Sequence, residues 1–178
     1  RQENGSNTEA NSKTDYQYME GKTRYISIQL GIGGYQAIPS DEVERSGYGD
    51  CKALTNYMGA MLNFLDIPSN HVLVKAGRDV PDIVADFPSN QFNHVFLAVP
   101  MASDTLWFEC TSQTSPPAYI GTFTDDRHVL WVHKDGSKVV RTPEFTAEES
   151  VKASNCLVYL HPGGNATLEI KTTQRGKF

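Results

Sequence analysis

Three cysteines, at positions 51, 110 and 156, are an odd count and match no metal-ligand spacing. That argues against a disulfide framework or a zinc module and leaves only a Cys110–Cys156 bridge open. No apolar run approaches the ~20 residues of a membrane-spanning helix. No signal peptide opens the chain, although a processed or excised piece would lack one too. Lysine and arginine number 16 against 21 acidic residues, for a net charge of −5, and they form no cluster. Nucleic-acid binding therefore has little support. Gly31, Ile32, Gly33 and Gly34 lack the Gly-Lys-Ser/Thr ending of a phosphate loop, and no helical pattern follows them. The chain shows no calcium loop and no internal repeat. Apolar side chains are nearly missing from residues 1–15, a composition that predicts a disordered tail or linker.

What is present centres on residues 47–65. Gly47 and Gly49 allow a sharp turn. Asp50 is a good helix N-cap, because its carboxylate can accept from the free amides of a first turn. After it, Ala53, Leu54, Tyr57, Met58, Met61, Leu62 and Leu65 recur at spacings of three and four, which predicts an amphipathic helix ended by Ile67 and Pro68. Cys51 falls on the first helical position. Free amides and the helix dipole there favour a thiolate, and Lys52 adds a positive charge beside it. The plain alternative is a small buried cysteine with no chemistry.

The rest of the chain reads mainly as strands. Residues 24–30 alternate as an extended segment, and residues 71–76 form a strand ended by Gly77. Residues 78–91 are a polar loop fit to line a cleft. Residues 93–101 and 105–110 read as a hairpin across Ala102, Ser103 and Asp104. Two more hairpins follow, at 128–141 around Asp135 and Gly136 and at 155–172 around Pro162, Gly163 and Gly164. The last resembles the start of a further β domain. One central helix followed by an antiparallel meander predicts an α+β fold. The expected division is a domain at 16–143 and a β-hairpin extension at 144–178.

A nucleophilic cysteine needs a base, and the base needs an orienting group. His94 opens the first strand of the 93–110 hairpin, and Glu109 lies on the second, within an otherwise apolar stretch. An isolated buried carboxylate is costly, so Glu109 either meets a partner or points to solvent. A turn centred near Ser103 predicts that residues summing to about 206 oppose each other, which permits the pair without requiring it. Cys110, next to Glu109, faces the other way as a structural residue. His71 reads as a cap, His128 and His133 point to opposite faces of a strand, and His161 sits in a turn. Asp125, Asp126 and His128 fit no named metal pattern.

The stretch Gly47-Tyr48-Gly49-Asp50-Cys51-Lys52 with its following helix resembles the cysteine motif of transglutaminase-like domains. Phe92-Asn93-His94-Val95 resembles their histidine strand, and Trp107-Phe108-Glu109-Cys110-Thr111 their acidic motif. Residues 24–143 look like the transglutaminase-like domain of larger Bacteroidetes envelope proteins, where it lies between β-rich domains. The resemblance implies a papain-like core, with the cysteine-bearing helix packed on an antiparallel sheet. It implies Cys51 as nucleophile, His94 as base and Glu109 as orienting acid, in a periplasmic or envelope location. Most of that superfamily has Asp at the third position. Glu109 is one methylene longer, so His94 must sit slightly differently.

The expected reaction is acyl transfer on an amide through a Cys51 thioester. The Cys51 backbone N–H at the helix start would hold the oxyanion, with Gln36 or Tyr48 as candidates for a second donor. No metal or organic cofactor is required, and the expected partner is a protein or peptide substrate. Hydrolysis is expected before cross-linking, because a thioester in an open cleft meets water more often than an amine. The reading from another class is a peptide-binding module with an inert triad.

Overall fold

The computed structural model describes residues 2–176. Arg1, Lys177 and Phe178, the outermost residues of the expected tail and hairpin extension, lie outside the described residues. The internal contacts divide the chain into two units, 1–142 and 143–178.

The first unit opens with helix α1 (Gln2–Lys22), where composition predicted a disordered tail over 1–15. Tyr16 and Met19 are fully buried in the same core as helix α3 (Cys51–Phe64), and they fix the last turns of α1. Once those turns are fixed, each further residue adds a hydrogen bond without a new nucleation cost. Local contacts such as the Lys13–Glu9 ion pair at 2.6 Å and the Ser12 hydroxyl on the Thr8 carbonyl at 2.8 Å carry the helix back through the polar stretch. Composition missed this because docking, not propensity, holds the helix.

The extended segment expected at 24–30 pairs only over β1 (Arg24–Tyr25). A 3₁₀ turn (Gly31–Gly34) and helix α2 (Ser40–Ser46) follow. Gly47 ends α2 at φ +70°, a conformation that favours glycine. Strand β2 (Tyr48–Gly49) then pairs in parallel with β1. A Cβ on Gly49 would lie 2.7 Å from the Cβ of Ala53, so only glycine lets the chain pass this close to the first turn of α3.

Five strands form one sheet: β3 (Asn70–Val74), β4 (His94–Pro100), β5 (Thr105–Phe108), β6 (His128–Trp131) and β7 (Lys138–Arg141). Their order is β5-β4-β3-β6-β7, with every neighbour antiparallel. The class is α+β. β4 is buried on both faces. Leu97 and Val99 join Leu54, Met58 and Leu62 of α3 in one core cluster, while Phe96 and Ala98 join Val72, Trp107 and Trp131 in the other. The Thr55 hydroxyl donates to the Val95 carbonyl at 3.2 Å and ties α3 to β4. Among the described residues no helix is long and apolar enough to cross a membrane.

The second unit is one hairpin, β8 (Val151–Leu160) with β9 (Ala166–Arg175), paired antiparallel over ten residues. All three cysteines are free, so Cys110 and Cys156 form no bridge.

Candidate active site

Cys51 is the first residue of α3, and Asp50 is its N-cap. The Ala53 amide donates to Asp50 Oδ1 at 3.0 Å, which satisfies one of the orphan donors of the first turn. The other Asp50 oxygen takes an ion pair from Lys52 Nζ. The positive charge that sequence places next to Cys51 is therefore offset by the cap itself. Lys52 still lines the cleft, with Asp50 buried beneath it.

His94 is the first residue of β4, and α3 brings Cys51 to that end of the strand. His94 Nε2 lies 2.9 and 3.0 Å from the two Glu109 oxygens. Glu109 thus occupies Nε2, and the ring opens onto the same cleft as Cys51. Burial alone would pull the His94 imidazole down. Hydrogen bonds to Cys51 and Glu109, and the charges of both, push it up instead, to about 9.

The register explains why the histidine and the acid meet. The β4–β5 ladder runs from Leu97↔Phe108 to Pro100↔Thr105, so opposed residues sum to 205. Carried past the ladder, Glu109 falls opposite Phe96 and Thr111 opposite His94. His94 and Glu109 then share a face as diagonal neighbours. A sum of 206 would place them on opposite faces, since one residue of slip reverses every side chain. Cys110 points into the α3 cluster, where burial pushes its thiol up first, followed by the nearby Glu109 charge.

Glu109 is held from three sides. The Thr111 hydroxyl donates to Oε1 at 2.6 Å, and the Thr111 amide donates to the same oxygen at 3.3 Å. The Tyr16 hydroxyl of α1 donates to the Glu109 carbonyl at 2.8 Å. Phe123 sets its ring edgewise to His94, with centroids 5.2 Å apart. Asn93 fixes where β4 begins: its side chain accepts from the Ala76 amide at 2.7 Å and donates to the Ala76 carbonyl at 3.0 Å. Sequence reading gave none of these residues a role. Thr111 and Asn93 lay inside the quoted motifs, and a polar residue beside a buried acid or base was the signal available.

Cys51 and His94 open onto a cleft of about 440 Å³. Gly34, Tyr35 and Gln29 form one side, and Asn90, Phe92 and Asn93 come from the other. Gly34 of the glycine turn and Cys51 therefore line the same cleft. Gln36 and Tyr48, the expected oxyanion donors, are not among the cleft-lining residues. Both are exposed, while Gln29 and Tyr35 line the cleft, as do Asn90 and Asn93. Asp126 accepts from Arg141 at 2.6 Å, and His128 Nδ1 meets Asp82 at 2.7 Å. Among the described residues no three His, Cys, Asp or Glu side chains are grouped to hold a metal.

The arrangement can move a proton between sulfur and imidazole beside an open cleft, while a buried carboxylate fixes the ring. Set against known proteins, the chain matches no family model, no curated protein and no solved structure.

Proposed function

We propose that this chain is a cysteine-dependent amidase or peptidase with a papain-like core of the transglutaminase-like kind. The observation that carries the reading is the buried His94, which Glu109 orients at 2.9 Å and which shares its cleft with Cys51 at the start of α3. A merely structural cysteine has no need of a buried, carboxylate-oriented imidazole in the same cleft.

The Cys51 sulfur attacks the carbonyl carbon of an amide. The oxygen that becomes negative is met by the Cys51 backbone N–H, which the first turn of α3 leaves free of intrahelical bonding. Gln29, on the cleft wall, offers a side-chain amide for a second bond. With its imidazole raised to about 9, His94 carries a proton at neutral pH. It gives that proton to the leaving amine as the C–N bond breaks, and a thioester remains on Cys51. His94, now neutral, takes a proton from water. The hydroxide attacks the thioester, the acid departs, and the Cys51–His94 pair is restored. Glu109 keeps the imidazole in one orientation throughout.

The open cleft favours water over an amine as the second reactant. The decisive experiment is the pH profile of iodoacetamide labelling at Cys51 in wild type and His94→Ala. Fast labelling at pH 6 that collapses in the variant is the expected result. An ordinary thiol profile in both proteins would leave a peptide-binding module. Incorporation of a fluorescent primary amine into a glutamine-bearing protein, in place of hydrolysis, would identify a cross-linking enzyme.

A further inference from the structure

A second cavity, of about 700 Å³, opens at the end of β3 away from Val74, the residue that pairs with His94. Its lining runs against the net charge of −5 carried by the chain. Lys134 and Lys138 reach it from the β6–β7 hairpin, with His133 beside them and His71 from β3, and no carboxylate lines it. Neither lysine enters an ion pair among the described residues. The nearest acid in sequence, Asp135, lies outside the lining, 3.6 Å from His133 Nδ1. The other wall is apolar, formed by Trp131 and Pro100. Lys138 Nζ lies 5.4 Å from the centre of the Trp131 ring, so charge and ring face the same space.

We propose that this cavity binds a small organic anion, a carboxylate or phosphate carried on an apolar or aromatic body. The two ammonium groups answer the anionic head, because an ammonium is a point charge with several donors. Pro68, Pro100, Val132 and the exposed edge of the largely buried Trp131 answer the body. A bare ion would leave that wall wet, and a bare hydrocarbon would strip water from the lysines with no return. The volume falls within the ~300–1,000 Å³ typical of small-molecule sites.

The test is an amide and indole NMR titration of the full chain at low ionic strength with phenyl phosphate, benzoate and inorganic phosphate. Phenyl phosphate or benzoate should shift the Trp131 indole and the amides of 132–138 saturably, and their relative affinities identify the preferred head group. Inorganic phosphate should bind several-fold more weakly. The exposed-residue double variant Lys134→Gln/Lys138→Gln should weaken binding by about tenfold or more. Lys152→Gln/Lys171→Gln, which removes the same charge from the second unit, should leave binding unchanged. No saturable shift at Trp131 would overturn the proposal. So would an equal loss in the control variant, or equal affinity for inorganic and phenyl phosphate.

Discussion

Two histidine–carboxylate pairs sit in the same sheet with nearly the same contact distance. His94 meets Glu109 at 2.9 Å, and His128 at the start of β6 meets Asp82 at 2.7 Å. Burial separates them. The His94 and Glu109 side chains are 7% and 9% exposed, against 38% and 33% for His128 and Asp82. In the first pair water cannot replace the lost partner, so each group depends on the other. In the second, solvent screens the charges and stands ready to substitute. The first pair shares its cleft with Cys51. The second fastens a loop: the Asp82 carboxylate also accepts from the His128 and Ile83 amides at 3.1 and 2.8 Å. Distance alone therefore does not tell a working imidazole from a tether. Burial and a cleft shared with a cysteine do.

The sharpest way to break this comparison is to remove each imidazole in turn. His94→Ala should lower kcat/KM on an amide substrate by about 10³-fold, the middle of the range for losing a general acid–base. His128→Ala should stay within a few-fold of wild type. Comparable losses in the two variants, measured on the same substrate, would erase the distinction. Removing the acids ranks next. Glu109→Ala leaves His94 buried without its carboxylate and should cost about 3 kcal/mol of unfolding free energy in a urea titration. Glu109→Gln keeps the shape and should cost less stability, yet still lose about 10²-fold in kcat, because the imidazole loses its charged anchor. A stable, fully active Glu109→Gln would show that orientation comes from packing against Phe123 instead.

The pairs also differ in how they respond to pH. The His94 imidazole is raised in the folded protein above its ordinary value of 6.5, to about 9. A group raised on folding stabilises fully below its unfolded value and loses that contribution as pH rises through its folded one. Thermal stability should thus decline between about pH 6.5 and 9, with the steepest fall midway between the two values. His94→Gln should remove that part of the slope, and His128→Gln should leave it in place. Unfolding temperatures collected across pH 6 to 10 for the three proteins make the check.

Much of this site is legible in the chain, and what is not has physical reasons. The period of α3, its Asp50 cap and the position of Cys51 follow from local chemistry that tertiary contacts reinforce. The β4–β5 hairpin is local too, but its register is not. The difference between 205 and 206 decides whether His94 and Glu109 share a face: a three-residue turn at 102–104 implies 206, whereas the chain pairs Pro100 with Thr105 across a connection of even length. Contacts across long separations are less legible still. β6 pairs with β3 across more than fifty residues, and Tyr16 reaches Glu109 from an α1 whose polar first half resembles a tail. Lys52 reads as a cation beside Cys51 until Asp50, two residues earlier, takes the charge. Gln29 and Tyr35, which flank the 3₁₀ turn, line the cleft, whereas Gln36 and Tyr48 do not. No periodicity encodes that choice.

The smallest expected effect tests the tether. Burial pushes the Asp82 carboxyl up, but the His128 and Ile83 hydrogen bonds outweigh it and hold the group below its usual range. Its contribution is therefore present at neutral pH and is lost only as pH falls through that lowered value. Asp82→Asn removes the charge and one acceptor while keeping an oxygen for a backbone amide. With the pair about a third exposed, the global cost should be about 1 kcal/mol or less. The loop should not come free, because Arg127 holds its beginning independently. One guanidinium nitrogen donates to the Lys75 and Val80 carbonyls at 3.2 and 2.8 Å, and the other donates to Gly77. The far end is fixed by Asn93 on Ala76 and by Gln91, whose amide donates to the Val84 and Phe87 carbonyls. Hydrogen exchange should quicken at residues 81–84 and stay unchanged at 90–94. The cleft wall at Asn90, Phe92 and Asn93 should keep its shape, so KM should move by less than about threefold. A large rise in KM, with exchange quickening through residue 94, would mean that the His128–Asp82 pair shapes the cleft, and the two pairs would then belong to one functional unit.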